Sequence, residues 1–391
     1  MNQVCYLDNN ATTRVAPEVR DAMLPFFCDL YGNPSSMHAF GDKAARHLAS
    51  AREEVARFIN ADPDEIVFTS CATESDNAAI ACAAAGNDKA RVVTTAVEHP
   101  AVLNPCRRLR SLGHELVELP VDGGGMLDLE RLREAVVPGS FVTVMWANNE
   151  TGVVFPMDEI AAICRERGAT LHTDAVQVAG KMPVDVRKTP VDMLSMSGHK
   201  FHAPKGIGFL YVRRGAKFRP FMLGGHQERA RRAGTENVPY AVGLAKACEL
   251  ARTGMAEETP RLAALRDRLE AGILATCPDV RVNGDRAHRL ANTLNVSFEY
   301  VEGESIAYRL SDLGICISTG SACASGSLDP SHVIRAMGVP FTAIHGSVRF
   351  SLSRYTTPED IDYVLERLPG VVRALREISP FGPGKNVTTF S

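Results

Sequence analysis

The sequence has 391 residues, 45% hydrophobic and 23% charged, which suits a two-domain globular enzyme and excludes a disordered or fibrous chain. Its net charge of −3 gives no field that would attract nucleic acid or an anionic membrane, and the densest basic cluster, 229–232, lacks interleaved aromatic residues. Ten cysteines without a CxxC pair argue against a disulfide framework or a zinc site and predict reduced thiols in a cytoplasm.

The N-terminus shows no basic region followed by an apolar run, so we expect no signal peptide, and no run of about 18 apolar residues predicts a transmembrane helix. From about residue 42 to 260, short β-rich runs alternate with longer amphipathic runs. This alternation predicts βαβ units and a mostly parallel sheet covered on both faces. The predicted strands are 66–69, 92–95, 115–119, 141–146, 170–173, 193–195 and 207–212, and the predicted helices include 129–136 and 157–167.

The pattern changes after about residue 260. A long amphipathic helix is predicted at 261–276, followed by short mixed elements and a last helix at 359–377. We place the domain boundary at 254–260. The expected fold class is α/β, with a mostly parallel seven-stranded sheet in a large domain, and the expected domains are 15–257 for the large one and 1–14 with 258–391 for a smaller α+β one.

Polar residues follow the predicted strands, which is where ligands bind in open α/β sheets. Strand 66–69 runs into the turn Ser70-Cys71-Ala72-Thr73 and a helix, so free N–H groups there suit a phosphate, although simple N-capping is an equal alternative. Asp174 follows strand 170–173, with Gln177 close behind it. A carboxylate at that point could bind a metal, pair with a pyridinium nitrogen or cap a helix.

A glycine-flanked turn after strand 193–195 contains Lys200 beside Ser197 and His199. A lysine among such donors could form a Schiff base, although most lysines are simply solvated. His199 and His202 have a spacing compatible with metal binding, but no third ligand follows at a suitable distance, so we expect no intrinsic metal.

Small residues surround one cysteine, Cys323, in the segment 317–327, which contains two glycines, four serines and one threonine. Structural cysteines are usually buried among apolar residues, whereas this composition is typical of an exposed loop. An accessible thiol is available for reaction, so we predict a functional role for Cys323.

These features share one purpose. A Schiff-base lysine, an acidic partner for a pyridine nitrogen and a phosphate cradle are together what pyridoxal phosphate requires. A carboxylate that keeps the ring nitrogen protonated lets the cofactor act as an electron sink. Asp174, on a strand next to that of Lys200 in our prediction, suits this role.

The sequence resembles the NifS-like cysteine desulfurases, class V aminotransferases among the fold-type I pyridoxal-phosphate enzymes, over nearly its whole length. The segments that carry the resemblance occur in the family's order. They are YLDNNATT, SCATESDN, VEHPAV, NNETG, HTDAVQ, SGHK, APKGIG, GGHQE, GTEN, STGSACAS and VRFSLSR.

The resemblance implies that Lys200 holds the cofactor as a Schiff base, while Asp174 and Gln177 bind its ring nitrogen and ring hydroxyl. His99 would stack on the ring and help to move protons. Without the resemblance, His99 would instead be interpreted as a loop histidine that makes an ordinary hydrogen bond. The remaining cofactor contacts would come from Ala72, Thr73, Asn149, Ser197 and His199, with Thr235 reaching the phosphate of the other subunit of a homodimer.

The resemblance also implies the reaction. Arg349 and Asn149 would hold the carboxylate of L-cysteine, although without the family Arg349 would be taken for a surface ion pair. Lys200 would remove the Cα proton, and the Cys323 thiolate would attack the substrate sulfur, leaving L-alanine and a persulfide. Thr319 and Ala324 depart from the family's commoner residues, which affects the expected loop motion more than the chemistry.

The long cysteine loop resembles the branch of the family that contains both the housekeeping and the nitrogen-fixation members. Within that branch, the segments MWANNETG, GHKFHAPKG and GGHQERARRAGTEN are more similar to the nitrogenase-dedicated members than to the general iron–sulfur ones. That similarity implies sulfur delivery to an iron–sulfur scaffold protein, where Cys323 could transiently touch a cluster.

Three alternatives remain. An aminotransferase of the same fold needs no loop cysteine, and a selenocysteine lyase would use the same residues. A non-catalytic scaffold would have lost Lys200 or Cys323, and both are present.

Overall fold

The structure, a computed structural model, describes residues 4–84, 90–319 and 330–380, so Cys323 lies outside the described residues. The strands are β1 (Cys5–Tyr6), β2 (Ile66–Thr69), β3 (Val92–Thr95), β4 (Leu116–Leu119), β5 (Phe141–Thr143), β6 (Thr170–Asp174), β7 (Met193–Ser197), β8 (Gly208–Val212), β9 (Val280–Asn283), β10 (Thr293–Phe298), β11 (Ile315–Cys316) and β12 (Ser347–Ser351).

The helices alternate with these strands in the first two thirds of the chain, as the sequence pattern predicts. They are α1 (Pro17–Met23), α2 (Pro25–Cys28), α3 (Ala39–Phe58), α4 (Ala72–Ala84), α5 (Pro100–Ser111), α6 (Leu129–Ala135), α7 (Met157–Arg167), α8 (Gln227–Ala230), α9 (Val238–Thr276), α10 (Gly303–Asp312), α11 (His332–Ala336), α12 (Phe341–Ile344) and α13 (Pro358–Ile378). Within the described ranges, no helix combines the length and apolar character needed to cross a membrane.

The large sheet has seven strands in the order β2-β8-β7-β6-β5-β3-β4. Strands β3 to β7 pair in parallel, and only β8 is antiparallel to its neighbours β2 and β7. The predicted mostly parallel seven-stranded sheet is therefore confirmed. The strand predicted at 141–146 is shorter than expected, since β5 ends at Thr143. The chain beyond it still pairs with β6 through Trp146 N, which donates to Asp174 O at 2.9 Å.

The C-terminal region forms an antiparallel sheet in the order β12-β10-β9, and β1 pairs in parallel with β11. A separate apolar cluster, which includes Leu7, Phe298 and Phe350, packs this sheet against α13 and the end of α9. The N-terminal strand thus belongs to the same cluster as the C-terminal elements. The division into domains 1–14 with 258–391 and 15–257 remains a prediction that this packing supports.

The helix predicted at 261–276 is longer than expected. Helix α9 begins at Val238 and runs through Gly254 and Pro260 without interruption, so the prediction of its start was wrong. Ala247 packs into the cluster of the large sheet, and Leu265 packs into the C-terminal cluster. Burial on both sides of the proline outweighs its local cost of about 3 kcal/mol in a helix interior.

Candidate active site

A cavity of about 380 Å³ lies at the carboxyl ends of β6 and β7 and at the start of α4. It brings together most of the residues that the sequence predicts for the site. These are Ala72, Thr73, His99, Asn149, Asp174, Gln177, Ser197, His199, Lys200 and Arg349.

Thr235 is not among them. It lines a different cavity, together with Ser70, Arg232 and Glu236, on the far side of the turn that precedes α4. Its expected contact with the cofactor of another subunit stays a prediction.

Lys200 reaches the cavity because β7 ends at Ser197 and the chain then forms a single 3-10 turn, Gly198–Lys200. Only glycine fits at position 198, since an added Cβ would lie 2.8 Å from the Cβ of Ala203. The Lys200 Nζ donates to Asn10 O at 2.6 Å and to Ala11 O at 2.9 Å. The N-terminal segment therefore fixes the lysine that the sequence predicts as the Schiff base.

Asp174 ends strand β6 and is buried, with its Oδ1 accepting from Val176 N at 2.9 Å. Burial raises its pKa to about 6, although this hydrogen bond and the positive charge of Lys200 both favour the carboxylate. A cationic partner in the cavity would compensate the desolvated carboxylate, as a protonated pyridine nitrogen would.

Two buried groups lie beneath Asp174. The Nε2 atom of His172 is hydrogen-bonded to Ser195 Oγ at 2.9 Å. The same atom lies 3.6 Å from Oδ1 of Asp76. Burial lowers the pKa of His172 to about 3, so this histidine is neutral. Burial, and next the charge of Asp174, raise the pKa of Asp76 well above its usual range. Burial and the neighbouring carboxylate of Asp174 therefore both disfavour the charged form of Asp76.

His99 caps α5, because its Nδ1 accepts the N–H of Ala101 at 3.1 Å. Burial, followed by the charge of Lys200, lowers the pKa of His99 to about 4. The ring is therefore neutral, and because Nδ1 accepts a hydrogen bond, its proton resides on Nε2. His99 thus makes an ordinary hydrogen bond, with Ala101 N, and also lines the cavity.

The helix start at Ala72 and Thr73 faces the same cavity as Ser197 and His199. Ser197 Oγ is buried and has no hydrogen-bond partner among the described residues. A phosphate oxygen would supply that partner, and the helix N-terminus favours an anion. Together with the amine of Lys200 and the carboxyl of Asp174, these groups fit pyridoxal phosphate.

The two histidines considered for a metal site, His199 and His202, make other contacts. His199 Nδ1 contacts Thr12 Oγ1 at 3.1 Å, and His202 Nδ1 contacts Arg14 O at 2.9 Å. In the part of the chain that the structure describes, no three side chains of His, Cys, Asp or Glu approach one another closely enough to share an ion.

Arg349 projects from β12 and is only 3% exposed, so the alternative of a surface ion pair was wrong. Its Nη2 contacts Asp8 Oδ1 at 2.7 Å, and its Nη1 donates to the main-chain oxygen of Asn149 at 2.9 Å. Its Nε is buried without a partner among the described residues. A substrate carboxylate would find this third donor available and would compete with Asp8 for Nη2.

Both described ends of the segment that contains Cys323 are hydrogen-bonded to residues that line the cavity or directly adjoin its lining residues in sequence. Before it, Arg349 N donates to Ser318 O at 2.6 Å. After it, Ser331 Oγ donates to Glu150 Oε2 at 2.5 Å, and His332 Nε2 contacts Glu98 O at 2.9 Å. Cys323 itself is not described, but the described residues that flank its segment, Ser318 and His332, contact Arg349 and the residue that precedes His99.

Several site residues were missed by the sequence reasoning. Asp8, Asn10, Asp76 and Lys181 all contact a predicted site residue or line the cavity. The signal was present for three of them, since they lie inside YLDNNATT and SCATESDN, which were recognised as motifs without a role for each residue. Lys181 follows HTDAVQ and had no such signal.

Comparison with known proteins agrees with this geometry. The family described as aminotransferase class-V matches residues 5–364. The chain is 56% identical over 381 residues to a cysteine desulfurase of Trichormus azollae, covering 97% of this chain and 95% of the relative. It is 54% identical over 382 residues to the cysteine desulfurase NifS of Azotobacter vinelandii, with the same coverage.

A solved structure titled as a NifS-like protein superimposes with a TM-score of 0.90 at 38% identity, covering 95% of this chain and all of the other. More than half of the aligned residues are identical to those of a cysteine desulfurase, and the fold is shared over nearly the full length. These similarities agree with a cavity that contains both Lys200 and Asp174. The chain belongs to the class-V aminotransferase family and, within it, to the NifS-like cysteine desulfurases.

Proposed function

We propose that this chain, a pyridoxal-phosphate-dependent cysteine desulfurase, converts L-cysteine to L-alanine and holds the sulfur as a persulfide on Cys323. One observation carries the proposal. A single cavity contains Lys200, Asp174 and Arg349, and both described ends of the Cys323 segment are hydrogen-bonded to residues beside it.

The residues divide the work of holding the cofactor. Lys200 is its covalent anchor, Asp174 pairs with the ring nitrogen, and Thr73, Ser197 and His199 hold the phosphate, with Ala72 beside them. When bound, pyridoxal phosphate withdraws electrons from the substrate Cα. The amine of Lys200 would take the Cα proton and hold it for return to the carbon skeleton of the substrate.

Two further residues orient the substrate. Arg349 offers its buried Nε and shares Nη2 between Asp8 and the substrate carboxylate, with Asn149 adjacent. His99 presents an Nε2–H, since Nδ1 is engaged by Ala101 N. A neutral ring that donates from Nε2 holds a proton near the reacting atoms without adding a second cation beside Lys200.

The sulfur transfer forms one bond and breaks another. The Cys323 thiolate attacks the substrate sulfur, the Cβ–S bond breaks, and the electron pair passes to the carbon skeleton. Protonation at Cβ then gives the methyl group of alanine, and Cys323 keeps the sulfur as a persulfide.

The test is to incubate the purified holoenzyme with L-cysteine and a thiol reductant and to measure alanine and sulfide together. We expect equimolar products from the native chain and loss of both in Cys323→Ala. Cys316→Ala is the matched control, because this thiol lies in β11 outside the small-residue segment, and it should keep full activity. Alanine formation that is insensitive to Cys323→Ala would contradict the role of this cysteine.

We also propose that the persulfide sulfur passes to an iron–sulfur scaffold protein for nitrogenase cluster assembly in the cytoplasm. The similarity to a relative named NifS supports this assignment. The test is transfer of labelled sulfur from Cys323 to a scaffold encoded with nitrogenase, compared with a scaffold for general iron–sulfur assembly. Equal or faster transfer to the general scaffold would contradict the dedicated role.

A homodimer is the proposed assembly. Leu24, Phe27, Tyr31 and Met37 expose 51% to 104% of their area along α2 and the following loop, which favours a protein partner over water. The loop residue Ser35 lines a cavity with Glu236, so this apolar surface adjoins the segment that contains Thr235. Light scattering that gives the 42.3 kDa of a single chain would contradict this proposal.

A further inference from the structure

A second lysine lies beside the cavity and has no part in the chemistry above. Lys181 is partly buried, and its Nζ donates to Gln177 Oε1 at 3.0 Å. Its main-chain oxygen accepts from Thr259 Oγ1 at 3.2 Å, which ties this part of the chain to α9. The lysine is therefore held in place from both its backbone and its side chain.

Two contacts set which way the amide of Gln177 points, and the shorter of them joins its oxygen to Lys181. The oxygen and nitrogen of an amide are nearly equal in size, so packing alone does not choose between the two orientations. A lysine ammonium has three donors and no acceptor. It therefore selects the orientation with Oε1 of Gln177 toward Lys181 and the NH₂ group on the opposite side.

The NH₂ group then has two protons to place. One goes to Asn10 O, which accepts from Gln177 Nε2 at 3.2 Å and also from Lys200 Nζ at 2.6 Å. The same carbonyl thus joins Gln177 to the lysine that anchors the cofactor. The second proton is available to the cavity that Gln177 lines.

We propose that Lys181 is a positioning residue that fixes the Gln177 amide so that its NH₂ group donates to the ring oxygen of the cofactor. The inference rests on the proposed function and on the contact with the ring hydroxyl that the family resemblance implies for Gln177. Burial, and next the charges of Lys200 and Arg349, lower the pKa of Lys181 to about 7. Below that pH its ammonium can only donate, so measurements there isolate the orienting effect.

The test is a double-mutant cycle on the holoenzyme, with Lys181→Met, Gln177→Met and the double variant. Two properties are measured below pH 7, namely the dissociation constant for pyridoxal phosphate and the visible absorption spectrum of the bound cofactor. Loss of one hydrogen bond weakens binding about fivefold in each single variant. The double variant should bind no more weakly than Gln177→Met, because Lys181 acts only through the amide.

Additive losses would overturn the proposal, since they would mean that Lys181 acts by charge or packing independently of Gln177. Unchanged affinity and spectrum in Gln177→Met would instead show that the role proposed for Gln177 is wrong, and the two failures are thus distinguishable.

A second variant keeps the test independent of folding losses. Lys181→Arg retains a donor, and a cavity of about 30 Å³ beside Lys181 and Arg354 gives the larger side chain space. It should keep native affinity, and a loss equal to that of Lys181→Met would count against positioning. Lys246→Met removes a lysine that pairs with Glu249 on α9 and is the matched control for loss of a positive charge.

Discussion

Two histidines of the cavity stay uncharged beside Lys200. Burial lowers the pKa of both His99 and His199 to about 4, and in each case the ammonium of Lys200 lowers it further. Both rings are therefore neutral at physiological pH and act as hydrogen-bonding groups rather than as cations. The carboxylate of Asp174 is left to balance the charge at the opposite end of the ring site.

His99 has two roles that substitution can separate. Because its Nδ1 caps α5, His99→Ala should lower the free energy of unfolding by about 1 kcal/mol. Asparagine is a good capping residue, so His99→Asn should restore that stability while lacking the ring. Both variants should form alanine roughly a hundredfold more slowly, the usual loss when a positioned proton donor is removed.

The two properties are measured by urea unfolding and by initial rates of alanine formation. Restored activity in His99→Asn would show that the cap accounts for the importance of this histidine and would contradict its chemical role.

Single residues differ in how far the sequence could predict them. Lys200 and Asp174 were predicted because each follows a strand, and the ends of parallel strands meet at one edge of a sheet. Asn10 and Lys181 act through contacts with residues distant in sequence, such as Asn10 O with Lys200 Nζ. No local pattern marks such contacts, because they exist only after the chain has folded.

At the level of secondary structure, the short element α8 is unusual because three successive residues have left-handed backbone angles. Glu228, Arg229 and Ala230 have φ values of 49°, 57° and 59°. The buried carboxylate of Glu228 accepts two hydrogen bonds from Arg52, at 2.6 and 2.7 Å, and a third from Phe68 N at 3.0 Å. This anchor stabilises a turn that leads directly to the segment containing Thr235.

Ala230 should therefore tolerate, and benefit from, replacement by glycine. A left-handed conformation costs an ordinary residue roughly 1–2 kcal/mol, whereas glycine adopts it freely. Ala230 is exposed, so Ala230→Gly removes little packing and should raise the free energy of unfolding by about 1 kcal/mol. Ala256→Gly makes the same chemical change at an exposed site within α9 and should lower it by about 1 kcal/mol.

Urea unfolding of both variants measures these differences. Equal losses in the two would show that the left-handed turn stores no strain at Ala230.

The alternation of strands and helices was predicted well because buried β-rich runs and amphipathic runs have different periods. Helix α9 was predicted poorly, since Gly254 and Pro260 are local signals for a break. Packing between α9 and two apolar clusters determines that helix, and a window of sequence cannot contain that information. The segment after Cys316 was predicted as a loop around Cys323, and its residues 320–329 lie outside the described residues.

Across the whole molecule, buried histidines and buried carboxyls make opposite contributions to stability as pH changes. Burial lowers the pKa of His202 to about 4, so the unfolded chain binds a proton there that the folded chain does not. Its stabilising contribution is present above about pH 6.5 and is lost as the pH falls toward 4. Burial raises the pKa of Glu98 to about 8, so its contribution is present at low pH and is lost as the pH rises toward 8.

Because these contributions partly cancel, a single-site comparison is more informative than the full pH curve. His202 lies outside the cofactor cavity, has a φ of 74° and packs edge-on against Tyr355. Asparagine tolerates that backbone angle and does not titrate, so His202→Asn should flatten the pH dependence of the unfolding free energy between roughly pH 4 and 6.5. The expected change in slope is about 1.4 kcal/mol per pH unit, the value for one proton.

Tyr355→Leu is the matched control, because it removes the same ring contact without removing the titrating group. It should lower the free energy of unfolding by a similar amount at every pH and leave the slope as it is in the native chain. Urea unfolding at a series of pH values distinguishes the two effects. A parallel offset in His202→Asn would mean that His202 contributes packing alone, whereas a flattened slope would mean that its buried neutral ring is one source of the acid sensitivity of the fold.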